Sequence, residues 1–317
     1  MNTHDLFQKF NETIKLDTVK KESLETSRGA LRKKINKYFD DNSWNKPIFK
    51  SQGSFDLNTI INPLNGKYDL DDGVYYTCSF QDRKTTATYH NRIVNAVDGH
   101  ASSVVDKNTC VRVVFADGHH IDLPSYWKEN SYSTPQLAHK TEGFIESDPE
   151  AFKKWLNDKI SVSNKTGQLK RLIRYFKAWK DYREYSNSSV KLPSGFILTI
   201  LACDNFKENV QDDISLKETL EAIYYSLSLS FVCYRPTIPM YEDLLSNYDK
   251  KTVLDEFGKF LSIAEEALEA ESKNKSSEKW RKVFGDRFPL ADDKNKTNIF
   301  NVNTGTRTGI NFPWNQN

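Results

Sequence analysis

The stretch that decides the fold is Gln52-Gly53-Ser54-Phe55, followed fifteen residues past Ser54 by Asp69-Leu70-Asp71-Asp72-Gly73 inside the run YDLDDGVYYTCS, residues 68–79. That run is rich in Tyr, Val and Thr, the composition of a strand. Residues i and i+2 of a strand share a face, so Asp69 and Asp71 project side by side while Leu70 points into the core. Two adjacent carboxylates repel each other unless cations sit between them. A third, Asp122, lies between Ile121 and Leu123 in a later strand-like segment. If the two strands are neighbours, three carboxylates converge, a set of hard oxygen ligands suited to Mg²⁺. Two such ions about 4 Å apart activate an attacking hydroxyl and stabilise a leaving pyrophosphate. The Gly53-Ser54 turn offers backbone N–H groups and a hydroxyl to a triphosphate, with no side-chain bulk in the way. Singly, each piece has an ordinary reading: a turn, a solvated strand face, or, for Asp72-Gly73, a hairpin turn. The ordered combination is what points to chemistry.

Toward the N-terminus, apolar residues at helical spacing (Leu6, Phe7, Phe10, Ile14, then Leu24, Leu31, Ile35, Phe39) predict a long helix over about 4–40, weakest around Leu16 to Ser23. Between the carboxylate segments, 84–97 reads as an amphipathic helix, and 110–116 with 119–123 as a hairpin around Asp117-Gly118. A helix start with Pro in its first turn lies at Ser147-Asp148-Pro149-Glu150. From residue 167 on the pattern is helical, over 167–184, 192–203, 215–231 and 252–272. The Asn-rich end, 291–317, is expected to be an extended tail. The expected organisation is α+β: an α/β half over 1–160, a helical half over 161–290, and the tail.

The chain has 317 residues, 45 Lys+Arg against 43 Asp+Glu, and a formal charge of +2. That balance argues against a protein that coats nucleic acid. Aromatic residues make up 13% of the chain, enough to fill a sizeable core and to exclude disorder as the dominant state. No run approaches the roughly 18 apolar residues of a membrane helix, and the polar N-terminus lacks a signal-peptide core. A soluble, cytoplasmic protein with no membrane partner is expected. The four cysteines, Cys78, Cys110, Cys203 and Cys233, show no CxxC or zinc spacing and read as free thiols. His119 and His120 read as part of the hairpin, with no further ligands in sight for zinc.

The order Gly-Ser, Asp-x-Asp, later Asp resembles the nucleotidyltransferase superfamily of polymerase β. It is more closely similar to the bacterial cyclic-oligonucleotide synthases of the cGAS/DncV-like family, the CD-NTases. The residues that carry the likeness are Gln52-Gly53-Ser54-Phe55, Thr59-Ile60-Ile61-Asn62-Pro63 and Tyr68-Asp69-Leu70-Asp71-Asp72-Gly73. Looser matches follow in Phe176-Lys177-Ala178-Trp179-Lys180-Asp181, Leu192-Pro193-Ser194-Gly195 and Trp280 to Phe284-Gly285.

The resemblance implies a polymerase-β-like nucleotidyltransferase domain with a mixed or antiparallel sheet, a C-terminal helical bundle, and an active site in the cleft between them. It implies that Asp69, Asp71 and Asp122 hold two Mg²⁺ ions, with Mn²⁺ as a substitute, and that Asp122 acts as or positions the base. Gly53, Ser54, Lys177 and Ser194 would hold the donor triphosphate, with Arg174 assisting. Lys170, Arg174 and Lys177 recur on one helix face, a stripe that is otherwise read as solvated. Ser194 reads equally as an N-cap. Gln52 and Tyr126 are weaker candidates for nucleotide contact, Tyr126 by stacking on a base. The implied substrates are NTPs, ATP first and GTP, UTP or CTP as further candidates. The implied product is a cyclic di- or trinucleotide that activates a separate effector in antiphage defence (CBASS). Transfer to a protein, tRNA or small-molecule acceptor is the alternative that the residues leave open. A nucleic-acid sensor is disfavoured by the charge, and an inactive nucleotide-binding module by the presence of all three carboxylates.

Overall fold

The structure, a computed structural model, describes residues 1–163 and 167–292. The expected single N-terminal helix is two: α1 (His4–Ile14) and α2 (Thr18–Asp41). Lys15 to Asp17 separate them, and Asp17 caps α2 by accepting a hydrogen bond from the Lys20 N–H. The break lets the two pieces join different cores. Leu6, Phe7, Phe10 and Ile14 of α1 pack with the helical half, whereas Leu24, Leu31, Ile35 and Phe39 of α2 pack on the sheet.

The α/β half continues with β1 (Ile48–Gln52), the single turn α3 (Gly53–Asp56), β2 (Asp69–Thr77), α4 (Thr86–Val97), β3 (Ser103–Asp106) and β4 (Val111–Val114). Next come β5 (His120–Leu123), β6 (Ser125–Lys128), β7 (Gln136–His139) and β8 (Gly143–Glu146). These strands form one mixed sheet, mostly antiparallel. β2 is its centre: β1 runs antiparallel along it, and β5 and β6 run parallel to it. Pro124 separates β5 from β6 because it has no N–H for the ladder, while its carbonyl still accepts from Val74 N–H at 2.8 Å. The short strands β3, β6, β7 and β8 were not distinguished in the sequence.

Alternation along β2 sorts its side chains. Leu70, Asp72, Val74 and Tyr76 face α2 and α4, while Asp69, Asp71, Gly73 and Tyr75 face the other way. Asp72-Gly73 is mid-strand rather than a turn. Asp72 is fully buried and ion-paired with Arg32 of α2, whose Nε lies 2.7 Å from its carboxylate. A buried carboxylate is tolerable only with such a partner. The pair therefore fixes β2 to α2, behind the face that carries Asp69 and Asp71.

The helical half comprises α5 (Pro149–Val162), α6 (Gln168–Ser186), α7 (Gly195–Asn205), α8 (Asp212–Leu229), α9 (Lys250–Glu269) and α10 (Lys273–Phe284), with a 3-10 turn over Gly285–Arg287. Its core is aromatic: Phe7, Phe10, Tyr175, Trp179, Phe257, Phe260, Trp280, Phe284 and Phe288 are buried together. The four cysteines are free. No described helix is long and apolar enough to cross a membrane. The expected tail falls almost wholly outside the described residues.

Candidate active site

The register of β2 against β5 builds the site. Asp69 stands opposite His120, and Asp71 opposite Asp122. One strand further out, Arg112 of β4 stands opposite Asp122. Because every second residue shares a face, Asp69, Asp71, His120 and Asp122 form a grid on one face of the sheet. The neighbourhood of strands on which the convergence of three carboxylates depended is thus present.

Each carboxylate has a distinct environment. Asp122 is buried and held by a fork from Arg112, whose Nε and Nη2 each lie 2.6 Å from a carboxylate oxygen. Burial raises the Asp69 carboxyl, but His120 beside it, with Arg112 and Lys107 beyond, outweighs this and leaves it below the ordinary carboxylate range. Asp71 has no such partner: burial, then the charges of Asp69 and Asp122, push its pKa up to about 8. A carboxyl flanked by two others is stabilised in its charged form by a nearby cation. One ligand atom each from Asp69, His120 and Asp122 lies within 4.8 Å of the others, a separation that a single divalent ion can bridge with small adjustment. This group fits a divalent cation, with His120 in it where the sequence expectation named Asp71. Metal is not the only charge that balances the cluster, because Arg112 already pairs with Asp122. Hairpin counting finds this residue: Arg112 and Asp122 are equidistant from Asp117 in the turn.

The cleft beside the grid is a cavity of about 950 Å³ whose walls come from both halves. Gln52, Gly53, Ser54, Asp69, Asp71 and Tyr126 line it from the α/β side, and Lys177 and Gly195 from the helical side. Gly53 opens α3 with φ +75°, a conformation that glycine adopts freely. Ser54 sits in the same turn, and its carbonyl accepts from the N–H groups of Thr59 and Ile60 at 2.9 and 3.0 Å. Gln52 donates through Nε2 to the Tyr126 hydroxyl at 3.1 Å. Tyr126 is buried and stacked on Tyr75 with ring centroids 4.6 Å apart, so its ring already has an aromatic partner.

Lys177 reaches the cavity from α6. Its ammonium donates to the carbonyl and hydroxyl of Thr59 at 3.1 and 3.0 Å. Burial, then the charge of Arg174, push its pKa down to about 8. Its alkyl chain passes Gly195, where a Cβ would sit 3.3 Å from Lys177 Cε.

Two expected contacts lie elsewhere. Arg174 does not line the cavity; it is buried, donating to Asn11 Oδ1 at 2.9 Å and to the Asn58 carbonyl at 2.8 Å. Three residues before Lys177 it sits roughly 60° round the helix, which turns it to α1. The basic stripe therefore does not act as one surface: of Lys170, Arg174 and Lys177, Lys177 alone lines the cavity. Ser194 caps α7, accepting from Ile197 N–H at 3.3 Å, and stands just outside the cavity next to Gly195.

The loop over 57–66, which contains the Thr59 to Pro63 motif, is the floor of the cleft. Arg174 holds the Asn58 carbonyl, Lys177 holds Thr59, and Asp181 accepts from Leu64 N–H at 3.1 Å. Asn62 N–H donates to the Ile14 carbonyl at 2.7 Å, and the Asn62 carbonyl accepts from Arg287 at 3.1 Å. One loop thus couples the Gly-Ser turn to α1, α6 and the 3-10 turn.

Comparison with known proteins agrees with this geometry. The family model of the cyclic GMP-AMP synthase DncV-like nucleotidyltransferase domain matches residues 47–126, the segment from β1 to Tyr126 that carries all three carboxylates. That segment is similar to the cGAS/DncV-like nucleotidyltransferase domain. Among curated relatives, a cyclic GMP-AMP synthase of Escherichia albertii is 26% identical over 59% of this chain and 44% of its own length. A cyclic AMP-AMP-AMP synthase of Acinetobacter is 28% identical over 54% of this chain and 53% of its own. The chain thus spans about half the length of these curated relatives. Vibrio cholerae DncV, a cyclic AMP-GMP synthase solved with nonhydrolysable GTP, superposes with a TM-score of 0.77 at 19% identity, over 92% of this chain and 100% of that one. The same enzyme with a linear intermediate, pppA(3′,5′)pG, gives 0.75 at 19% identity, over 92% and 99%. At these identities the likeness to the solved structures establishes the shared fold, in both halves.

Proposed function

We propose that this nucleotidyltransferase joins NTPs, ATP among them, into a cyclic di- or trinucleotide without a template. The observation that carries the reading is the convergence of Asp69, Asp71 and Asp122 beside a cavity whose opposite wall presents Lys177. The donor triphosphate lies against the Gly53-Ser54 turn, with the Lys177 ammonium neutralising part of its charge. Ser194, one residue from the cavity wall, reaches it after a small movement. Asp69, Asp71 and Asp122 would hold divalent cations, whose charge would neutralise part of the triphosphate and lower the pKa of the acceptor hydroxyl. That hydroxyl oxygen attacks the α-phosphorus, a new P–O bond forms, the bond to the β-phosphate breaks, and pyrophosphate leaves. Asp122, oriented by Arg112, accepts or directs the proton of the hydroxyl. A second transfer on the bound linear product closes the ring. A signalling role in antiphage defence, through a separate effector activated by the product, follows from the same reading.

The test is incubation with labelled NTPs and Mg²⁺ or Mn²⁺. The expected result is pyrophosphate release with a phosphatase-resistant product, abolished in an Asp69→Ala, Asp71→Ala variant. Absence of pyrophosphate release under every NTP and metal combination overturns the enzyme reading. A labelled protein or tRNA in place of a cyclic product points to the other acceptor class.

A further inference from the structure

His120 belongs to the grid but to none of the roles assigned so far. It lies on β5, two residues before Asp122 and in register with Asp69. It is 8% exposed, and its Nε2 stands 3.5 Å from Asp69 Oδ2. The ring has no other hydrogen-bond partner among the described residues. At 3.5 Å the contact is long for a charge-assisted hydrogen bond, which closes to about 2.7–2.9 Å. It falls instead within the spacing of two ligands on one ion, about 3 Å when adjacent and about 4.3 Å when opposite in an octahedron. Ligand atoms of His120, Asp69 and Asp122 all lie within 4.8 Å of one another. Arg112 approaches Asp122 from β4, on the other side of β5 from Asp69.

We propose that His120 is a direct ligand of a divalent cation shared with Asp69 and Asp122, making a mixed nitrogen–oxygen site rather than an all-carboxylate one. This rests on the metal-binding reading of the site above. An imidazole nitrogen is a borderline donor. It raises affinity along the Irving–Williams series more than it raises affinity for Mg²⁺, which favours oxygen. The site therefore discriminates in favour of Mn²⁺ over Mg²⁺, and loss of His120 narrows that preference.

The test uses the full chain without nucleotide, loaded with Mn²⁺ and studied by electron spin echo envelope modulation, with Mn²⁺ affinity titrated by EPR and Mg²⁺ measured by competition. The expected spectrum carries the modulation of a directly bound histidine nitrogen, changed by ¹⁵N-histidine labelling and lost in His120→Asn and His120→Gln. Both variants are expected to weaken Mn²⁺ about tenfold or more, as loss of ligands and their supports does, with a smaller change for Mg²⁺. Their circular dichroism and melting temperatures are followed to separate ligation from unfolding. Tight Mn²⁺ binding that is weakened in Asp69→Asn but carries no nitrogen modulation overturns the role of His120 and leaves the metal site standing. Failure of the wild-type chain to bind Mn²⁺, or binding untouched by Asp69→Asn, overturns the metal-site reading itself.

Discussion

Gly53 and Asp71 stand so close that a Cβ on Gly53 would lie 2.0 Å from Asp71 Oδ2. An overlap of that size forces Asp71 or the turn to shift, and the glycine's φ of +75° adds strain for any L side chain. The turn that offers N–H groups to a triphosphate is therefore in contact with a carboxylate of the proposed metal site. Gly53→Ala is expected to displace Asp71 or the turn, lowering kcat/KM for nucleotide transfer at least 100-fold. The strain would cost about 1–3 kcal/mol of stability. Product formation and the melting temperature together check this; a variant with unchanged turnover contradicts the assigned contact.

Arg112 forks both oxygens of Asp122, so this carboxylate carries its own counter-cation. Removing one partner of a buried pair leaves an uncompensated charge at a cost of roughly 3–5 kcal/mol, and partial exposure of Arg112 puts the expectation near the low end. Arg112→Met should therefore melt lower than wild type in chelator. Added Mn²⁺ should raise its melting temperature more than it raises that of wild type, because the ion supplies charge that the guanidinium no longer does. Equal metal-induced shifts in the two proteins would contradict this division of labour.

Much of the site was legible because strand alternation is strict. Asp69, Asp71 and Asp122 follow from a period of two and one assumption of strand neighbourhood, which the parallel register of β2 and β5 satisfies. What stayed hidden depends on a third dimension that one element's periodicity lacks. Arg174 and Lys177 share a helix face by spacing, yet α1 supplies Asn11 to one of them and the cleft takes the other. The break in the N-terminal helix was visible as a weak stretch, but not that its two pieces enter different cores. His120 is hidden in the sequence because its neighbour is Asp69 across the sheet and not a second ligand at zinc spacing. The strands β6 to β8 are four residues each, too short for alternation to stand out.

Arg174 is expected to act on nucleotide binding through the floor of the cleft. Arg174→Met removes both its hydrogen bonds and leaves the Asn58 carbonyl and Asn11 Oδ1 without their donor, at a cost of about 2 kcal/mol. For a chain of this size that corresponds to a fall of about 3 °C in melting temperature without any nucleotide present. Affinity for ATP should fall at the same time, because Thr59 and the Gly-Ser turn lose their support. A loss of ATP affinity with no change in the melting temperature would instead favour direct contact with phosphate, as the sequence had suggested.

Lys177 gives the nucleotide site a pH dependence. Its pKa, near 8 in the folded chain against an ordinary 10.5, is set first by burial and then by the charge of Arg174. Between those two values the unfolded chain holds a proton that the folded chain has released, so this group's contribution to stability rises with pH across that window. Nucleotide binding runs the other way. A triphosphate beside the ammonium favours the charged form, so above about pH 8 binding must take up a proton. Affinity for a nonhydrolysable ATP analogue at saturating Mg²⁺ is therefore expected to weaken about tenfold between pH 7 and pH 9. Calorimetry in buffers of different ionisation enthalpy should register uptake of close to one proton at the upper end. Lys177→Met should bind more weakly at pH 7 and lose this slope. A wild-type affinity that is flat over the range, or a slope that persists in Lys177→Met, would remove Lys177 from the triphosphate site.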